Sequence, residues 1–65
     1  MRDAMIQALK QHAKASSQLH MMNIEVYLKN PAGIGEHSDI MEAIQTELDK
    51  MAMHEDRIDI LDTFF

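Results

Sequence analysis

The chain has 65 residues, six basic side chains against eleven acidic ones for a formal net charge of −5, and no cysteine. That length allows one small domain, which buries too little surface to be secure without a staple or a partner chain, and the missing thiols exclude disulfides and thiolate metal sites. The acidic balance opposes non-specific binding to nucleic acid and to anionic membrane surfaces, and the scarcity of β-branched and aromatic residues argues against an all-β fold.

The opening stretch "MRDAMIQALKQHAK" returns to polar residues before an apolar signal core can form, so a secretory leader is not expected. No apolar run approaches the ~20 residues of a membrane-spanning helix. A soluble, non-secreted protein is the expectation. Ile6, Leu9, Ala13, Ser16, His20, Ile24, Tyr27 and Leu28 recur at three- and four-residue spacings, the signature of one stripe on an amphipathic helix. The spacing predicts a helix over residues 2–28, with Lys10, Lys14 and Glu25 mostly off the stripe. Within it "KASSQ" is built of small residues, which let another helix approach closely.

Next comes "KNPAGIGEHSDI", the one stretch that cannot be helical throughout. Asn30 suits a helix terminus, and Pro31 drives its predecessor out of helical geometry. Gly33 and Gly35 permit the positive φ that a reversal needs. Ser38 or Asp39 can cap a following helix, and Glu42 stands three residues after Asp39 as in a capping box. A phosphate loop would need G-x-x-x-x-G-K-[ST], or G-x-G-x-x-G, after a strand. This G-x-G follows a helix and no lysine succeeds it, while Glu36, Asp39 and Glu42 already place negative charge where an anion would sit. The stretch reads as a turn over residues 29–38.

Beyond it Ile40, Ile44, Leu48, Met51, His54, Ile58, Leu61 and Phe65 trace a second stripe, predicting a helix over residues 39–63. Glu47, Asp49, Lys50, Asp56 and Asp59 are expected mostly on its solvated face. The fold class is therefore all-α: a single antiparallel helical hairpin domain spanning residues 1–65. Met5, Met22, Val26, Met41, Met53, Ile60 and Phe64 lie beside the stripes, giving an apolar arc too broad for one neighbour. Dimerisation into a four-helix bundle of twofold symmetry would bury this second edge. The alternative is a docking face for a different protein, which seven methionines would also suit.

Chemistry has fewer supports. Across an antiparallel hairpin with this turn, facing positions sum to about 67. That places His20 near Glu47, and His12 near His54 and Glu55. The second cluster is the candidate metal site, with His20 and Glu47 as a lesser pair. Helical di-metal sites use Glu-x-x-His, which does not occur here, and "MHEDR" is not H-E-x-x-H. Adjacent His54 and Glu55 point about 100° apart on a helix. The simpler reading is histidines satisfied by Glu47, backbone or water, with no cofactor. An enzyme is not expected, because Ser16, Ser17 and Ser38 lack a strained elbow and a hairpin offers no cleft of catalytic size. Arg2, Lys10 and Lys14 form only a weak footprint for RNA. By the same pairing Phe65 falls near Arg2, so the terminal "DTFF" is expected to cover Met1, Met5 and Ile6.

The "NPAGIGEHSDIMEAI" corner and the aromatic C-terminus resemble a group of short uncharacterised proteins encoded by marine tailed cyanophages. The resemblance covers most of the chain and implies a virus-encoded protein, working in the cytoplasm of an infected host cell or in the virion. A host or virion protein is the partner it implies, and it carries over no catalytic residue. In architecture alone the chain is similar to Rop-like helical hairpins, which dimerise and bind RNA. That likeness rests on length and helix count and bears on fold only. The function expected is a small interaction or structural protein acting through protein–protein contacts. A metal-binding bundle and then an RNA-binding hairpin are the alternatives.

Overall fold

The computed structural model describes residues 1–29 and 37–65, with side chains in the second segment described from Asp39 onward. Both segments are helical: α1 runs Arg2–Lys29 and α2 runs His37–Phe64, 28 residues each. Neither contains a proline or glycine, so nothing interrupts the i→i−4 ladder over its length. Among the described residues no strand occurs, and no helix is long and apolar enough to cross a membrane. The expected turn residues Asn30, Pro31, Gly33 and Gly35, and the side chain of Ser38, lie outside the described residues. Asp39 falls inside the first turn of α2 rather than before it. It is therefore not the capping residue that the sequence suggests. Its carboxylate instead stands near the amide end of the helix dipole, where negative charge is favourable.

The helices pack antiparallel. At the open end Arg2 Nη2 donates to the carbonyl oxygen of Phe65 at 2.8 Å, where the pairing arithmetic expects the two to meet. Further in, Lys10 Nζ lies 2.5 Å from Asp62 Oδ1, and His20 meets Glu47 nearer the middle.

The inner seam follows a strict rhythm. The more buried positions are Ile6, Lys10, Ala13, Ser17, His20, Ile24 and Tyr27 on α1, with Ile40, Ile44, Glu47, Met51, His54, Ile58 and Leu61 on α2. Steps of four and three alternate along both, the 3.5-residue repeat of a coiled-coil seam. Twelve of the sixteen expected stripe residues are shielded, six on each helix. Leu9, Leu28, Leu48 and Phe65 are exposed, and Lys10, Ser17, Asn23 and Glu47 occupy other shielded positions. The leucines are displaced because a 3.5-residue seam drifts away from a 3.6-residue stripe, and polar residues carry no hydropathy to mark it.

The result is a thin core. Among the described residues, Ala13 and Ile40 are the buried apolar ones, at 2% and 6% exposure, and Ser17 and His54 are buried with them. A second alternating series lies outside it on α1. Met1, Met5, Ala8, His12, Ala15, Leu19, Met22 and Val26 are spaced four and three apart and all are exposed. It runs beside the inner seam on α1, and its members Met5 and His12 reach the groove next to α2.

Candidate functional site

Two features stand out on this scaffold: a column of histidines crossing the inner seam, and the apolar surface left uncovered beside it. The column forms because His20 and His54 occupy seam positions on opposite helices while His12 leans in from the edge. The His20 and His54 rings are stacked, centroids 5.7 Å apart and planes 10° from parallel. His12 meets His54 edge-on at 6.2 Å and 79°.

Each end of the column has a different electrostatic setting. His20 Nδ1 lies 2.5 Å from Glu47 Oε2, and Asn23 Nδ2 donates to Glu47 Oε1 at 3.3 Å. The His20 hydrogen bond, aided by Asn23 and by the charges of His20 and Lys50, holds the Glu47 carboxyl below its ordinary value against the opposing effect of burial. Charge-assisted bonds to a carboxylate have this sign. His54 is pushed below the usual histidine value, first by burial and then by the positive charges of Arg57, His20 and His12. Its Nδ1 is buried with no hydrogen-bond partner. The column thus joins a buried imidazole without a hydrogen-bond partner, His54, to one bonded to a carboxylate, His20.

The sequence placed His20 against Glu47 and His12 against His54, and the structure brings both pairs together. Glu55 does not join them. It is exposed, and the ring stacked on His54 is that of His20. Among the described residues, no group of three or more His, Cys, Asp or Glu side chains is arranged to hold a metal ion. The expected convergence of His12, His54 and Glu55 is therefore corrected: adjacent residues on a helix point about 100° apart, so His54 is buried in the seam while Glu55 is exposed. Asn23, which orients Glu47, was not anticipated. It follows His20 by three, a spacing that places both on one helix face.

The uncovered surface runs along the groove where the helices part. Leu9, His12, Ala13, Arg57, Ile60 and Leu61 line a depression of about 310 Å³. Nearer the open end, Arg2, Met5, Ile6, Leu9, Leu61 and Phe65 line another of about 480 Å³. Phe65 thus stands beside Met5 and Ile6 at the open end, but the expected cover does not form: Phe64, Phe65, Met5 and Met1 all stay exposed. All seven side chains expected at a second interface, Met5, Met22, Val26, Met41, Met53, Ile60 and Phe64, are exposed. No family model, curated protein or solved structure matches the chain.

Proposed function

We propose that the protein is an interaction module: a hairpin that self-associates as a twofold dimer of four helices and acts through protein–protein contacts, without catalysis or cofactor. One observation carries the reading. Among the described residues, two apolar side chains are buried while fourteen large ones are exposed, the reverse of what a self-sufficient monomer presents. The Cα envelope measures 48 by 15 by 12 Å, so its broadest face spans about 720 Å² before side chains are counted. A standard interface takes about 800 Å² from each partner, so the dimer must use nearly the whole length of the hairpin.

In the setting that the cyanophage resemblance implies, the assembled dimer meets a virion or host protein through whatever apolar surface remains. Light scattering at micromolar concentration, with and without chelator, tests the reading. The expected mass is twice the 7.5 kDa of the chain, indifferent to chelator. A monomer would overturn it, and dissociation on chelation would move the histidines to the centre.

A further inference from the structure

Resting on the reading that the protein dimerises, we propose that the second copy docks antiparallel along the outer seam of α1, around a twofold axis near residues 13 and 14. The position numbers of that seam read the same from either end. Under such an axis each residue therefore faces the one whose number completes 27 with its own. Met5 meets Met22 of the second copy, Ala8 meets Leu19, and His12 meets Ala15. A small side chain stands opposite each larger one in the two central layers, and two adaptable methionines meet outside them. A twofold interface demands self-complementarity of this kind, since one patch must fit its own copy.

Charge selects the same helix. Arg2–Lys29 carries four basic and two acidic side chains, and His37–Phe64 carries two basic and eight acidic. Docking through α2 would lay two strongly acidic helices together. Docking through α1 brings together two mildly basic helices whose shared seam contains no acid and no permanent cation. Each α1 then packs on its own α2 through the inner seam and on the other α1 through the outer one, with Met5 and His12 at the edge shared by both. Both α1 helices lie inside and both α2 helices outside, a row of four in place of the closed four-helix bundle expected from the sequence.

The chain has no cysteine, so introduced thiols report position without background. Met5→Cys and Met22→Cys both change exposed residues and leave the hairpin core untouched. Under mild oxidation each variant alone stays uncrosslinked, because its thiols lie far apart across the axis. An equimolar mixture yields covalent dimer in about half the material, the share in which unlike chains pair under twofold symmetry. Leu19→Glu raises the dimer dissociation constant on the order of 100-fold or more, since it buries an unpaired charge. Leu48→Glu on α2 leaves it unchanged.

Light scattering on the same samples separates the outcomes. A dimer whose single variants crosslink with themselves would mean a parallel seam, and a dimer in which even the mixture fails to crosslink would mean another face. Either overturns this proposal and leaves dimerisation standing. A monomer overturns both.

Discussion

Truncating two isoleucines of the same helix measures how much of the fold rests on the inner seam. Ile40 is 6% exposed and Ile60 is 43% exposed. Each Ile→Ala change removes three carbons, worth about 0.8 kcal/mol apiece when fully buried. Scaled by burial, the lost transfer energy is about 2.3 kcal/mol at Ile40 and about 1.4 kcal/mol at Ile60. Alanine returns about 0.4 kcal/mol of helix propensity at either site, leaving net costs of about 1.9 and 1.0 kcal/mol. A chain of this length has roughly 3–10 kcal/mol in all, so Ile40→Ala removes a large share from one position. Urea unfolding followed by far-ultraviolet circular dichroism reads both, at one fixed protein concentration because association adds to apparent stability. With a slope near 1 kcal/mol per molar urea, the midpoint falls by about 1.9 M for Ile40→Ala and about 1.0 M for Ile60→Ala. Equal shifts, or a larger one at Ile60, would refute the burial argument and the seam phase on which it rests.

Acid should destabilise the protein in two stages. His54 has a folded pKa below its ordinary 6.5, so the unfolded chain binds its proton first and stability falls as pH drops below that value. The groups facing His54 are His12 and His20 on α1 and Arg57 on its own helix, all tending to keep it neutral. Glu47, held below its ordinary 4.5, adds a second loss as pH falls through that region. Thermal melts between about pH 7.5 and 3.5 test both; a flat profile down to pH 5 would contradict the first stage, and His54→Leu should remove it. Ala13→Leu should cost about 1–3 kcal/mol by overpacking a site that is 2% exposed, read by the same urea titration. Asp62→Asn, which breaks the pair with Lys10, should cost under about 1 kcal/mol and lose even that at high salt.

The helices were legible because their breakers are confined to one stretch and both flanks keep helical spacing throughout. The His20–Glu47 and His12–His54 pairs were legible too, since antiparallel geometry alone brings them together. The phase of the seam was legible in most positions, since Ile6, Ala13, His20, Ile24 and Tyr27 on α1 and Ile40, Ile44, Met51, His54, Ile58 and Leu61 on α2 stand on it as expected. Lys10, Ser17 and Glu47 hold the remaining seam positions without hydropathy, so a reading weighted to apolar residues took Leu9, Leu28 and Leu48 at the flank instead. The outer seam of α1 was obscured in a related way. Met5, Met22 and Val26 stood out individually, but their regular spacing appears only when Ala8, His12 and Ala15 are counted with them.

These two seams also divide the energetics. The inner one gives five of its fourteen positions to Lys10, Ser17, His20, Glu47 and His54, and a paired charge or a buried imidazole fixes register without adding much stability. The outer seam is apolar in every position except His12, yet in a single hairpin it faces water. Most of the recoverable hydrophobic energy therefore lies where only a second chain can release it. Folding and association are then coupled: the inner seam selects how α1 meets α2, and the outer seam supplies the free energy that holds the selected form. The melting temperature should accordingly rise with protein concentration, and Leu19→Glu, which touches nothing in the hairpin core, should abolish that rise. If the melt of the native chain is independent of concentration across a hundredfold range, the hairpin is self-sufficient and the division argued here is wrong.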